Sequence, residues 1–265
     1  MPKEQLTVAC VKWGQWCAPH TAAYVNRLSA SVKANLTAPH KFVCFTDDPT
    51  GLEPSIEVRP LPKNLPGGWW NGPYVNKKLR YIKGLIALPY LFMRGGDERE
   101  LIQDDKGKSW QPINLHGWWN KLYLFKEGVL EGRVLFLDLD TVIVGSLDRF
   151  AKYEGRLAIL RDFYREDGFG SGVMMWDATQ NTDIWDSYVR AGCPNIRRGD
   201  QMWVQHVRPD ADILQDLFPD AFVSFKAHAM DSLPDGASVV CYHGKPRPHE
   251  VDNEWMQEHW YGVGN

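Results

Sequence analysis

The chain contains little of the continuous hydrophobicity that a membrane segment requires. Its longest strongly apolar stretch, 85–93, is interrupted by Pro89 and is shorter than the roughly 20 residues of a membrane-spanning helix. The N-terminal MPKEQLTVACV has no apolar run of the length of a secretory signal. We therefore expect no transmembrane segment and a cytoplasmic location.

Paired cysteines and excess charge are also scarce. The five cysteines, at positions 10, 17, 44, 193 and 241, are odd in number and show no C-x-x-C spacing, which favours a reduced environment over a disulfide-bonded scaffold. The formal net charge is only −3. The sequence thus has no electrostatic footprint for nucleic acid, and we expect no nucleic-acid partner.

The N-terminal part of the chain alternates between strand and helix patterns, and 265 residues are ample for a hydrophobic core. Apolar residues at helical spacing predict a helix over 22–36, and short apolar runs predict strands at 6–11, 41–46 and 56–58. A β-α-β-β order is typical of the first half of a nucleotide-binding sheet. The loop 12–20 and Asp47 or Asp48 follow predicted strands, where a uracil and a ribose could dock.

Residues 134–148, VLFLDLDTVIVGSLD, contain the most informative pattern. The apolar run 134–137 predicts a central strand buried on both faces, and Asp138 and Asp140 follow its end. Carboxylates at the edge of a core are costly unless they are paired or bind a metal. Because ligands bind beyond the carboxyl ends of such strands, the two aspartates suit Mg²⁺ or Mn²⁺. The plainer alternative is that they cap a turn.

This segment closely resembles the metal-binding motif of nucleotide-sugar glycosyltransferases of the GT-A fold, in particular family 8, which includes glycogenin and bacterial lipopolysaccharide galactosyltransferases. The same letters fit the first motif of haloacid-dehalogenase-type phosphatases, with Asp138 as nucleophile and Asp140 as acid/base. That class needs a second acidic motif such as GDxxxD, and Gly199 and Asp200 are not followed by an aspartate at the required place. A non-catalytic protein that binds a sugar nucleotide or a glycan is the other alternative.

Two segments before and after the aspartates match family 8. Lys121 lies 17 positions before Asp138 (138 − 121), where the resemblance implies a basic residue that reaches the donor; a solvated lysine is the plainer interpretation. The stretch FGSGVMMW at 169–176 resembles the family strand F-N-[AS]-G-V-[ML]. Gly170 replaces the asparagine that contacts the donor sugar, so Ser171 or water would substitute.

Three further segments supply candidate site residues. Asp162, at the end of a strand predicted over 157–160, is a candidate for donor binding. Asp200 and Gln201 match the D-Q pair that family 8 places beside the anomeric carbon of the donor, although Asp200 is also a suitable helix N-cap. His243, which opens HGKPRPH, matches the third metal ligand of the family.

The sequence near His243 leaves one role open. A histidine together with carboxylates favours Mn²⁺ over Mg²⁺. The family motif is compressed here, so Lys245 and Arg247 are both candidates for the basic residue that binds the pyrophosphate, and the proline after each would rigidify the loop.

Together these patterns predict a single α/β domain over 1–265, GT-A-like and Rossmann-like, with a mixed, mostly parallel sheet flanked by helices. The resemblance implies Mn²⁺-dependent, retaining transfer of a hexose from a UDP-sugar to a hydroxyl of a glycan, a lipid-linked glycan or a protein. The segment 60–117 breaks the family pattern and is interpreted as an insertion that shapes the acceptor site. Its Trp69 and Trp70 either stack on a sugar or pack in the core. Residues 249–265 are interpreted as a C-terminal tail.

Overall fold

The computed structural model of the protein describes residues 5–13, 21–61, 117–191, 193, 196 and 198–263. Most of the loop 12–20 and nearly all of the proposed insertion, including Trp69 and Trp70, therefore lie outside the described residues. The chain forms two compact units, of which the first draws on 1–61, 130–181 and 210–265 and the second on 62–129 and 182–209.

Ten strands lie in the described residues of the first unit. In chain order they are β1 (Leu6–Lys12), β2 (His40–Thr46), β3 (Glu57–Pro60), β4 (Arg133–Leu137), β5 (Thr141–Ile143), β6 (Leu157–Asp162), β7 (Arg165–Asp177), β8 (Asp212–Ile213), β9 (Phe222–Ser224) and β10 (Val239–Cys241). Seven form a large sheet of order β3-β2-β1-β4-β7-β6-β8, and three form a small sheet of order β5-β10-β9.

The large sheet is mixed and mostly parallel, as the sequence predicted. The pairs β1–β2, β1–β4, β2–β3 and β6–β8 are parallel, whereas β4–β7 and β6–β7 are antiparallel. The apolar run 134–137 lies in β4, the fourth of the seven strands in the sheet order. A strand with neighbours on both edges and cover on both faces needs apolar residues throughout, which explains why the run does not alternate.

The helices of the first unit complete its core. They are α1 (Thr21–Asn35) and, later in the chain, the short helices Phe150–Lys152, Leu214–Leu217, Phe225–His228, Pro248–Glu250, Glu254–Met256 and Gln257–Tyr261. Helix α1 buries Val25, Leu28 and Val32 in the same core as the strands, and full burial of each such side chain contributes about 1.5–3 kcal/mol. The predicted β-α-β-β opening is confirmed.

The end of the chain packs firmly against α1. The ring of Trp260 lies edge-on to that of Tyr24 at 4.8 Å between centroids, and Arg27 lies 5.4 Å from the centroid of Trp260. The indole N–H of Trp255 donates to the carbonyl of Ala229 at 3.2 Å. The described part of 249–265 is therefore built into the core of the first unit.

The second unit contains three described helices. The first is the 3₁₀ helix Gly117–Phe125, and α2 (Thr182–Arg190) and α3 (Gly199–Val207) follow. Their shared core is aromatic: Trp119 stacks on Tyr188 at 5.1 Å, and Trp203 meets Tyr188 edge-on at 5.3 Å. These tryptophans are packing residues. None of the described helices combines the length and apolar character needed to cross a membrane.

Candidate active site

Asp138 and Asp140 lie in the short turn that joins β4 to β5. The N–H of Asp138 donates to the carbonyl of Gly172 at 2.8 Å, and the Thr141 hydroxyl donates to the carbonyl of Asp138 at 2.7 Å. Leu139, between the two aspartates, is buried. Main-chain contacts and this apolar anchor hold the turn at the carboxyl end of the central strand.

The small sheet brings the C-terminal loop to this turn. Strand β5 pairs antiparallel with β10, with Thr141 opposite Cys241. The N–H of Tyr242 then donates to the carbonyl of Asp140 at 3.3 Å. As a result, the segment that begins at His243 starts beside the two aspartates.

Arg247 contacts Asp140 directly. Its Nη1 forms an ion pair with Oδ2 of Asp140, and the two side chains are 24% and 12% exposed. Lys245, by contrast, is 84% exposed and pairs with Glu250 at 3.1 Å. Of the two basic residues that the sequence left open, Arg247 is the one that lies at the aspartates.

His243 has the chemistry of a metal ligand. Its ring lies 5.1 Å from that of Phe163 and 6.0 Å from that of Tyr164, and its Nε2 is buried with no hydrogen-bond partner in the described part of the chain. Burial lowers the pKa of His243, and the nearby Asp162 carboxylate only partly opposes this shift. The imidazole is therefore neutral at neutral pH, which is the form that binds a metal.

The chemical types of the candidate ligands suit a divalent cation. Two carboxylates and a neutral imidazole with an unpartnered buried nitrogen are a suitable donor set for Mn²⁺. Among the residues that the structure describes, no three His, Cys, Asp or Glu side chains are gathered as a metal site. The ligand set Asp138, Asp140 and His243 stays a prediction.

The other donor-binding candidates of the first unit lie on β6 and β7. Asp162 accepts from Arg165 at 2.6 Å and from the N–H of Tyr164 at 2.9 Å, which closes the turn between the two strands. Ser171 is buried on β7. Gly172 lies beside Asp138, since a side-chain carbon at Gly172 would be in van der Waals contact with Oδ2 of Asp138, at 3.7 Å.

In the second unit, two predicted site residues contact each other. Nζ of Lys121 lies 3.8 Å from Oδ2 of Asp200, and both side chains are only 5% exposed. The alternative interpretation of Lys121 as a solvated lysine is wrong, because the helix Gly117–Phe125 turns this residue into the core. Among the residues that the structure describes, none forms a hydrogen bond with Oδ2 of Asp200. A buried charge that is paired but not fully hydrogen-bonded costs stability, and such groups are candidates for function.

The interpretation of Asp200 as an N-cap is also wrong. The N-cap of α3 is Arg198, with φ 71°, and the helix begins at Gly199, with φ 65°. A side-chain carbon at Gly199 would lie 2.6 Å from Nε1 of Trp118. Two left-handed residues thus start the helix two positions earlier than an N-cap at Asp200 would. Asp200 lies in the first turn of the helix, where a negative charge interacts favourably with the helix dipole. The half-buried Gln201 follows it.

Lys12 is a residue that the sequence patterns did not single out. It ends β1, is buried, and its Nζ lies 3.4 Å from the carboxylate of Asp48 and donates to the Asp48 carbonyl. Asp47 is exposed. A lysine directly after an apolar strand was the available signal, since a lysine in that place must find a partner or a ligand.

Comparison with known proteins bears on the fold. No protein-family model matches the sequence, and a search of curated proteins found no match. An active-site variant of the enzyme LgtC superposes with a TM-score of 0.59 at 12% identity, over 98% of this chain and 96% of that one. The galactosyltransferase LgtC in complex with donor and acceptor sugar analogues gives 0.56 at 12% identity over the same shares.

A third solved structure extends the likeness. The glycosyltransferase GlyE of Streptococcus pneumoniae TIGR4 gives a TM-score of 0.51 at 14% identity, over 97% of this chain and 63% of that chain. At such identities the likeness concerns the fold. The protein has a GT-A-like α/β fold and resembles the family 8 glycosyltransferases in structure.

Proposed function

We propose that the protein is a glycosyltransferase that transfers a hexose from a UDP-sugar to an acceptor hydroxyl. The observation that carries the proposal is the meeting of the Asp138–Asp140 turn with the His243–Arg247 loop at the carboxyl end of β4, on a GT-A-like fold. The acceptor is a glycan, a lipid-linked glycan or a protein. Retention of configuration is part of the proposal and comes from the family resemblance alone.

Donor binding is assigned to both negatively and positively charged residues. Asp138, Asp140 and His243 would hold Mn²⁺, which neutralises negative charge on the leaving diphosphate when it is bound. Arg247 adds a fixed positive charge at the same turn, and preorganised charge of this kind stabilises a leaving group at no cost of rearrangement. Gly172 beside Asp138 and the neighbouring buried Ser171 support a place for the donor at this end of the sheet.

Catalysis is assigned to Asp200 and Gln201, with Lys121 assigned to donor binding. The ion pair between Lys121 and Asp200 supports this assignment, since it holds the Asp200 carboxylate in one orientation. The segment 60–117 is assigned to the acceptor. A cytoplasmic location is part of the proposal and rests on the odd number of cysteines and their lack of C-x-x-C spacing in the sequence.

The test is a screen for hydrolysis of UDP-glucose, UDP-galactose and their N-acetyl forms in the presence of Mn²⁺. We expect hydrolysis of at least one donor, and a loss of roughly 100-fold or more in Asp140→Asn, since a charged ligand proposed for the metal is removed. Asp235→Asn is the matched control, because Asp235 is an exposed aspartate of the same unit. Equal rates in the two variants would contradict the proposal, and UDP binding without hydrolysis of any donor would favour the non-catalytic alternative.

A further inference from the structure

Asp140, which is expected to bind a metal ion, already forms an ion pair with a positively charged side chain. The guanidinium of Arg247 contacts Oδ2 of Asp140, and both side chains are partly buried. A guanidinium and a divalent metal ion can play the same role here, because each compensates the negative charge of a carboxylate at the edge of a core. A metal ion that binds this oxygen of Asp140 would therefore compete with Arg247 for the same negative charge.

The backbone around Arg247 is anchored independently of this contact. The N–H of Arg247 donates to Oε2 of Glu250 at 2.7 Å, and the N–H of Glu250 donates to the carbonyl of Arg247 at 2.8 Å. The next residues are tied to α1, since the hydroxyl of Tyr24 and Nδ1 of His249 lie 2.5 Å apart. The side chain of Arg247 can thus change partners while its loop stays in place.

We propose that Arg247 and the divalent cation compete for Asp140, and that the cation, once bound, releases the guanidinium to the diphosphate of the donor. This inference rests on the proposed function. Two ionised aspartates and one arginine leave a negative charge at the turn. A divalent cation neutralises both aspartates, so the guanidinium becomes a surplus positive charge, which complements a diphosphate.

The competition predicts effects of opposite sign on two ligands. Without nucleotide, Arg247 weakens cation binding because it occupies Asp140. With nucleotide, the displaced guanidinium gains a new partner, so cation and nucleotide each raise the affinity of the other, as linkage requires. Loss of Arg247 should therefore tighten cation binding alone, weaken nucleotide binding, and reduce the coupling between the two.

The experiment is calorimetric titration of Mn²⁺ into the full chain without nucleotide, followed by titration of UDP at saturating Mn²⁺. In Arg247→Gln we expect Mn²⁺ to bind about tenfold more tightly, which corresponds to about 1.4 kcal/mol, and UDP to bind about tenfold more weakly. Lys245→Gln is the matched control, since it removes the same charge from the same loop at a side chain that pairs with Glu250 and not with Asp140. Its Mn²⁺ affinity should equal that of the wild type.

Each outcome separates this inference from the proposed function. An unchanged or weaker Mn²⁺ affinity in Arg247→Gln overturns the competition, while hydrolysis of UDP-sugars by the wild type would leave the proposed function intact. An equal gain in Lys245→Gln would reveal a general effect of charge and also overturn it. Absence of Mn²⁺ binding in all three proteins would overturn both the metal role and the competition.

A second variant guards against misfolding of the first. Arg247→Lys keeps the charge but loses the planar fork of the guanidinium, so its Mn²⁺ affinity should fall between those of the wild type and Arg247→Gln. Thermal unfolding of each variant shows whether it folds. If Arg247→Gln does not fold, a wild-type Mn²⁺ affinity in Arg247→Lys contradicts the competition.

Discussion

The candidate residues include two ion pairs, one in each unit, which differ in burial and in contact. Arg247 and Asp140 touch through Nη1 and Oδ2 and remain partly accessible to solvent. Lys121 and Asp200 are almost fully buried, and their charged atoms lie 3.8 Å apart. The first pair sits on a loop between strand ends, and the second joins two helices through an aromatic core.

The difference suggests different uses of the same chemistry. An accessible pair loses little when its partner is exchanged, because water or a ligand can replace that partner. A buried pair cannot be opened without leaving an uncompensated charge in the core. We therefore interpret Arg247–Asp140 as an exchangeable contact and Lys121–Asp200 as a fixed one.

Removal of one cation from each pair should give the largest effect. Lys121→Met leaves Asp200 buried and alone, so the free energy of unfolding should fall by about 3–5 kcal/mol, whereas Arg247→Met should lose only about 1–2 kcal/mol. Urea unfolding followed by tryptophan fluorescence measures both. The double variant Lys121→Met/Asp200→Leu should recover part of the loss. Equal losses in the two single variants would remove the distinction between the pairs.

The start of helix α3 offers a test of how tightly Asp200 is positioned. Gly199→Ala places a side-chain carbon at positive φ and 2.6 Å from Nε1 of Trp118, so we expect a loss of about 2–3 kcal/mol. Gly128→Ala is the control, because Gly128 has φ 75° with nothing within 4 Å of such a carbon. It should lose about 1 kcal/mol from backbone strain alone. Similar losses would show that the contact with Trp118 is unimportant.

The smallest expected effect concerns pH. Burial lowers the pKa of His206, on α3, as it does for His243 in the first unit. An unfolded histidine titrates near 6.5, so below that pH the unfolded chain binds protons that the folded protein resists, and stability falls. His206→Gln should therefore lose less stability than the wild type between pH 7 and pH 5. Urea midpoints at the two pH values measure this, and a steeper fall in the variant would contradict it.

The site was predictable where its residues are neighbours in the chain. The run 134–137 predicted the central strand, because a buried strand needs a continuous apolar stretch. Asp138 and Asp140 follow it directly, so their place at the strand end came with it. The strands β8 and β9 were missed because two or three residues are too few for a hydrophobic pattern.

Two alternative interpretations failed where local signals competed with tertiary contacts. Asp200 had the composition of an N-cap, yet the left-handed pair Arg198 and Gly199 set the start of the helix. Lys121 had the amphipathic surroundings of a solvated residue, yet it is buried against Asp200. The neighbouring residues predict neither the start of α3 nor the burial of Lys121, because burial depends on segments that are distant in the chain.

The sequence alone determined the β-α-β-β opening, the central strand and the residue types at its end, since these follow from local periodicity and from the positions of a few charged residues. Only the tertiary structure decided which charges meet. Arg247 and Asp140 are 107 positions apart, and they touch because β5 and β10 pair in one register. Lys245 is just two residues away from Arg247, but it projects into solvent. A choice between two such neighbours depends on the direction of each side chain, which the packed backbone sets.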